Sequence, residues 1–169
     1  MDARRSSVEL LLDEGAEARV RAEWAALADA GLSSLGRHDA PSNRPHLTLL
    51  ARAGLPAPLR IDAALPLPLV LGPPTLLGAG DRRVLVRAVL PSAALLALHE
   101  AVHDAAGPGD DDPHVRPGAW LPHVSLARRL RLADLPAALT LLGESIAATG
   151  VAVRHWDPAS GELTTLAST

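Results

Sequence analysis

The chain has 169 residues, of which 48% are hydrophobic, and its formal net charge is −3. This length and apolar content predict a single domain, residues 1–169, with a substantial core. The absence of cysteine excludes disulfides and thiol catalysis, and an acidic chain without a basic stripe is not expected to hold a long nucleic-acid duplex.

We expect neither a targeting segment nor a membrane segment in this sequence. The arginines near its start precede no long apolar stretch, which disfavours a signal peptide. Residues 63–80 are nearly uncharged, but their prolines and glycines disfavour a spanning helix. We therefore expect a cytoplasmic protein that makes no contact with a membrane.

The first predicted elements are a strand and a helix. Residues 8–12 form a short apolar run, and Asp13 is suited to cap a helix that ends near Gly31. Trp24 lies on the apolar face of that helix and is expected in the core. The polar residues 33–45 then predict a loop.

This loop leads into the sequence RPHLTLL, a short run that predicts a strand. Side chains of a strand alternate between its two faces. His46 and Thr48 would therefore share one face, and Leu47 and Leu49 the other. The first face then presents an imidazole beside a hydroxyl, while the second is buried.

Two further strands and a helix are predicted in the middle of the chain. Residues 67–71 and 83–90 are apolar runs of strand length, joined by turn residues. Pro91 and Ser92 begin a helix that extends to about residue 105. Its apolar positions predict one buried face.

This helix contains the sequence His99-Glu100-Ala101-Val102-His103, which matches the H-E-x-x-H signature of zinc proteases. The spacing puts both histidines on one helical face, but a third ligand would have to come from elsewhere, such as His114 or His123. The alternative is an amphipathic helix whose histidines face outward or sideways while its leucines pack inward. A zinc metalloprotease remains the second hypothesis for function.

A loop rich in glycine, proline and aspartate, residues 106–118, precedes a second motif strand. Its sequence LPHVSLARR repeats the first motif and puts His123 and Ser125 on one face. Trp120 is expected either to stack on a base at the rim of a cleft between the two motif strands or to cap the core. Strict alternation turns Arg128 away from His123, but a twist or a bulge at the end of the strand would return it to the same face.

The chain closes with a predicted helix over about residues 134–144 and a hairpin that pairs residues 151–156 with residues 163–167. Trp156 lies in this hairpin and is expected to pack rather than to contact a ligand.

The repeated motif predicts a cleft with two imidazoles and two hydroxyls. Imidazole titrates near neutrality, so one histidine can act as a base while the other acts as an acid. Hydroxyls can donate hydrogen bonds to the non-bridging oxygens of a phosphate, where charge builds up during transfer. Facing histidines can therefore supply both proton transfers of an in-line displacement at phosphorus without a metal.

The motifs at residues 46–49 and 123–126 resemble those of the two-histidine (2H) phosphoesterases, which include 2′–5′ RNA ligase-like proteins and 2′,3′-cyclic nucleotide phosphodiesterases. The continuation of the second motif as Leu-Ala-Arg is similar as well. The resemblance implies an α+β fold of two lobes related by a pseudo-twofold axis. Each lobe would have a mainly antiparallel sheet with helices on its outer face, and the motif strands would meet at a central groove.

The resemblance also implies an enzyme that hydrolyses the 2′,3′-cyclic phosphate of a nucleotide or an RNA terminus, without a metal or other cofactor. His123 would activate water and His46 would protonate the leaving ribose oxygen, although the motifs alone do not rank these two roles. Thr48, Ser125 and Arg128 would bind the phosphate. With a 5′-hydroxyl in place of water, the same site would also join a cyclic end to that hydroxyl.

We expect the protein to act as a monomer on a small cyclic nucleotide or a single RNA end. A module that binds RNA ends without turnover is a further alternative. This alternative is disfavoured because a protein that only binds RNA ends has no need of a titrating histidine in each motif.

Overall fold

The computed structural model describes residues 5–55 and 59–169. Its mixture of strands and helices confirms the predicted α+β class. In chain order the elements are β1 (Ser6–Leu12), α1 (Glu14–Asp29), β2 (His46–Arg52), β3 (Leu67–Leu77), β4 (Arg82–Val89), α2 (Ala93–Ala106), β5 (His123–Arg131), α3 (Leu135–Thr140), β6 (Ile146–Asp157) and β7 (Glu162–Ser168).

The strands form one antiparallel sheet in the order β1-β2-β5-β4-β3-β6-β7. Strand β6 pairs with β3 through its first half, with β7 through its second half, and also with β1. Because β6 also pairs with β1, strands β1 to β6 form a closed ring of paired strands. Strand β7 pairs with β6 and lies outside this ring. The division into two lobes related by a pseudo-twofold axis, with a groove between them, stays a prediction.

Helix α1 forms as its sequence predicts. The carboxylate of Asp13 caps it by accepting a hydrogen bond from the backbone N–H of Ala16 at 3.0 Å, and it also accepts one from the N–H of Thr149 on β6 at 2.6 Å. Gly31 follows the helix with φ of 75°, a conformation that favours glycine. Trp24 is 2% exposed and lies in the core, as predicted.

Helix α2 begins after Ser92, whose hydroxyl caps its first turn, and its leucines pack inward as predicted. The prediction that His99 and His103 face outward or sideways is wrong, because these side chains are 3% and 9% exposed. Burial is tolerated because each imidazole bonds to a backbone carbonyl, of Val115 for His99 and of Leu49 for His103.

The last helix is shorter than predicted, since α3 spans Leu135–Thr140 rather than residues 134–144. The N–H of Gly143 donates to the carboxylate of Glu23, and its carbonyl accepts from the guanidinium of Arg87. These bonds to a buried ion pair hold the backbone in a turn after the helix. Strand β6 then begins earlier than predicted because its first residues pair with β3.

The predicted terminal hairpin is confirmed as β6 and β7. Strand β3 is longer than predicted because a register shift between Leu71 and Pro74 lets pairing with β4 continue through a proline-containing segment. Among residues 5–55 and 59–169, no helix reaches the length and apolar character needed to cross a bilayer.

Candidate active site

The motif strands alternate as predicted. Leu47 and Val124 are fully buried, whereas the histidine and the hydroxyl residue that flank each of them are half-buried. The sequence therefore turns its aliphatic side chains into the core and its polar side chains to the opposite face of β2 and β5.

Strands β2 and β5 meet at one backbone pair in the part of the chain that the structure describes, Leu47 with Val124. Antiparallel register around this pair puts His46 across from Ser125 and Thr48 across from His123. The two imidazoles are then diagonal neighbours, whose separation in such a register is about 7–8 Å. The four predicted side chains thus converge on one patch of the sheet.

A β-bulge follows the hydroxyl residue of the first motif. Val8 on β1 pairs with Leu50, but Glu9 pairs with Thr48, so Leu49 has no partner of its own in this ladder. Two successive leucines are consequently buried, and the alternation of faces is reset beyond them.

The second motif has the same irregularity. Val86 on β4 pairs with Ser125 and Leu85 pairs with Ala127, which leaves Leu126 as the extra residue. Because this extra residue shifts the alternation of side chains by one position, Arg128 lies on the face of the motif histidines. There it lines the same cavities as His46 and Thr48. The bulge considered from the sequence is therefore present.

Each motif imidazole is fixed by a hydrogen bond at Nδ1. His46 Nδ1 lies 2.7 Å from the carbonyl oxygen of Arg44, and His123 Nδ1 lies 2.7 Å from that of Leu121. Because a carbonyl oxygen only accepts hydrogen bonds, Nδ1 carries the proton in both rings. Nε2 is then the atom that can take up or release a proton.

The two histidines differ in their electrostatic surroundings. Burial lowers the pKa of His123, and positive charge on His46 and His114 lowers it further, while the hydrogen bond to Leu121 opposes these effects. The net shift of this pKa is downward from the ordinary imidazole value. His123 is thus favoured as the neutral imidazole, the form that accepts a proton.

A carboxylate that the sequence analysis missed lies beside His46. Glu9 Oε1 is 3.6 Å from His46 Nε2, and the Glu9 carboxylate also accepts hydrogen bonds from Ser7 at 2.7 Å and Arg154 at 2.8 Å. Since Nδ1 of His46 is already protonated, Glu9 and His46 form an ion pair only when the ring carries two protons. The signal for Glu9 was a single acidic residue inside the otherwise apolar run of residues 8–12.

Two adjoining cavities open at this patch, and His46, Thr48 and Arg128 line both of them. The smaller has a volume of about 80 Å³ and reaches Ser125. The larger has a volume of about 440 Å³ and runs over β1 to Trp156 on β6. His123 lines neither cavity, so it borders the site on the side away from the larger cavity.

Two tryptophans hold the backbone of the motif strands. Trp24 Nε1 donates to the carbonyl of Ser125 at 3.0 Å, and Trp120 Nε1 donates to the carbonyl of Thr48 at 3.1 Å. The indole of Trp120 also stacks on the imidazole of His99, with ring centres 4.0 Å apart. These contacts do not support the predicted base contact of Trp120, which lines neither of the two cavities.

The H-E-x-x-H histidines belong to a separate buried network. His99 Nε2 bonds to the carbonyl of Val115 at 2.8 Å, while His103 Nε2 lies 3.2 Å from the carbonyl of Leu49 and its Nδ1 lies 3.3 Å from Asp111. The described residues contain no group of three histidine, aspartate or glutamate side chains arranged to hold a metal ion. The motif therefore serves packing behind β2, and the geometry gives no support to a zinc protease.

Most of the chain matches the model of a known protein family. The family model described as the 2′-5′ RNA ligase superfamily matches residues 16–167, which is most of the chain and includes both motifs. A search of curated proteins found no significant match.

Proposed function

The chain belongs to the 2′-5′ RNA ligase superfamily, within the 2H phosphoesterases, and we propose that it is a metal-independent phosphoesterase that opens the 2′,3′-cyclic phosphate of an RNA end or a nucleotide. The observation that carries this proposal is the pair of motif imidazoles on neighbouring antiparallel strands. In each ring Nδ1 is bound to a carbonyl and Nε2 is left for proton transfer.

His123 acts as the general base. Its lowered pKa favours the neutral ring at neutral pH, and its Nδ1–H bond to Leu121 leaves a lone pair on Nε2. This lone pair takes a proton from water as the water oxygen forms a bond to phosphorus.

His46 acts as the general acid. It donates its Nε2 proton to the ribose oxygen as the bond between that oxygen and phosphorus breaks, and the product is a phosphomonoester. Glu9 at 3.6 Å can form an ion pair with the doubly protonated ring before transfer. The position of the larger cavity supports this assignment, because the leaving ribose belongs on the side of His46 and water enters on the side of His123.

Thr48 and Ser125 bind the non-bridging oxygens. Both line the smaller cavity with Arg128, so two hydroxyl donors and one guanidinium face the space where phosphate charge increases. A site of this size, in a chain of net charge −3, fits one phosphate and its immediate substituents rather than a long duplex. When a 5′-hydroxyl takes the place of water as the nucleophile, the same groups can join a cyclic end to that hydroxyl, which is consistent with the family description.

The test is hydrolysis of 2′,3′-cyclic nucleotides in the presence of EDTA by the wild type, His46→Ala and His123→Ala. We expect activity that survives EDTA and falls by at least about 10²-fold in each variant. His155→Ala is the matched control, since it removes a half-buried imidazole that lines neither cavity. Activity that is lost with EDTA and restored by a metal, or that persists in either motif variant, would contradict the proposal.

A further inference from the structure

The larger cavity continues well beyond the groups that handle the phosphate. On the face of the sheet that carries the motif histidines, Glu9 of β1 lies between Thr48 of β2 and Arg154 of β6. In the next row, Ser7 lies between Ala51 and Trp156. Thr48 and Glu9 of the first row and all three residues of the second row line the larger cavity. Its floor therefore changes from a polar row beside the phosphate site to a more apolar row farther away.

Trp156 lies at the far end of this floor. Its ring lines the cavity, and its neighbour across the ladder on β7 is Leu163, which is 43% exposed. A partly exposed indole beside an aliphatic side chain offers a face on which a planar, apolar ring can stack. Trp24 and Trp120 do not have this property, because the first is 2% exposed and the second is stacked on His99.

The distance between Trp156 and the phosphate site indicates which part of a nucleotide chain can reach the indole. Trp156 is two strands away from Thr48 and one row farther along, which corresponds to about 12 Å between the two backbone positions. This separation exceeds the reach from a phosphate to the base of the same nucleotide. It suits the base of the preceding nucleotide in a single strand.

A cation is available for the linkage between two such nucleotides. Arg5 immediately precedes β1 and lines the cavity beyond Ser7, farther along the chain from the row that contains Glu9. Its guanidinium donates a hydrogen bond to the carbonyl of Asp110 at 3.4 Å. The carboxylate of Glu9, which would repel a second phosphate, is paired with the guanidinium of Arg154 at 2.8 Å. The far part of the cavity can therefore accept an additional phosphodiester.

On these grounds, and resting on the proposed function, we propose that Trp156 and Arg5 form a subsite for the second-to-last nucleotide of a single-stranded RNA. Its base stacks on Trp156 and its phosphodiester contacts Arg5. The preferred substrate is then an RNA end of two or more nucleotides rather than a cyclic mononucleotide.

The experiment compares kcat/KM for a 2′,3′-cyclic mononucleotide and for the corresponding dinucleotide with a 2′,3′-cyclic end. The wild type should prefer the dinucleotide. Trp156→Leu should lower the ratio of dinucleotide to mononucleotide kcat/KM by about five- to a hundred-fold, the range for the loss of one base–aromatic stack. Trp156→Phe keeps an aromatic face and should retain most of the ratio. A ratio near one in the wild type, or an unchanged ratio in Trp156→Leu, would overturn the inference.

Arg5→Gln should also lower the ratio and weaken its dependence on salt. Arg129→Gln is the matched control, because this exposed arginine lines neither cavity and its loss should leave the ratio unchanged. Equal effects of the two substitutions would assign the arginine contribution to general charge and contradict the role of Arg5.

A binding measurement separates failure of this inference from failure of the proposed function. A dinucleotide with a 3′-phosphate should quench tryptophan fluorescence in the wild type, and Trp156→Phe should remove most of that quenching. If neither cyclic substrate reacts but the wild type shows quenching that Trp156→Phe removes, the phosphoesterase proposal fails and the subsite stands. If both cyclic substrates react but no quenching depends on Trp156, the subsite is wrong and the phosphoesterase stands.

Discussion

The hydroxyls of Thr48 and Ser125 allow a direct test of how the phosphate is held. Thr48→Val removes one donor but keeps the branched shape that suits a strand, and Ser125→Ala removes the other donor. Both side chains are half-buried and line the smaller cavity with His46 and Arg128, so neither substitution opens a hole in the core. The change is therefore confined to hydrogen bonding.

The expected magnitude follows from the position of these groups. Removing one buried donor to a developing oxyanion lowers kcat by about 10²–10³-fold. Thr48 and Ser125 are only half-buried, and water can replace part of the lost interaction, so we expect about 10²-fold or somewhat less for each. The double variant should lose less than the product of the two single losses, because both hydroxyls bind one phosphoryl group.

The assay is steady-state hydrolysis of a 2′,3′-cyclic nucleotide, with thermal unfolding measured on each variant. Thr165→Val on β7 makes the same chemical change at an exposed position outside both cavities and should leave kcat unchanged. If Thr48→Val and Ser125→Ala each keep kcat within about twofold of the wild type, the hydroxyls do not stabilise the transition state and this part of the mechanism is wrong.

Three other predictions concern the base, the guanidinium and the buried ion pair. The pKa of His123 is lowered by its burial and by nearby positive charge. The value of kcat/KM should therefore rise with pH through a midpoint below about 6.5. A midpoint above that value would exclude His123 as the base. Arg128→Gln should lower kcat/KM by about tenfold or more through loss of charge at the phosphate, as measured in the same assay; an unchanged value would show that the bulge does not bring this residue to the substrate. Glu23→Ala leaves the fully buried guanidinium of Arg87 without its carboxylate partner. We expect the free energy of unfolding, measured by urea titration, to fall by about 3–5 kcal/mol. A loss below about 1 kcal/mol would mean that Arg87 finds another acceptor or water.

The elements that could be predicted from the sequence are those specified by neighbouring residues. Asp13 and Ser92 cap helices through bonds to backbone groups three residues away, and the faces of the motif strands follow from alternation alone. The candidate catalytic residues His46 and His123 could be predicted for the same reason, because each has its hydroxyl partner two residues further along the chain.

The features that could not be predicted depend on pairing between distant segments. The side to which Arg128 turns is decided by a bulge against β4, and the turn at Gly143 is held by Glu23 and Arg87, which come from two other elements. Trp156 reaches the cavity only because β6 pairs with β1. No local pattern in the sequence carries this information.

The pairing of β1 with β6 also has a consequence for how the chain folds. Ser7 and Trp156 are partners in this ladder although they are separated by most of the sequence, so forming it requires closure of a very large loop. Topologies dominated by such contacts fold slowly. During synthesis β1 emerges well before β6 and has no partner at this edge until β6 has left the ribosome, which leaves an unpaired strand edge exposed in the meantime. Removal of the terminal hairpin would therefore be expected to cause aggregation rather than a mild loss of stability.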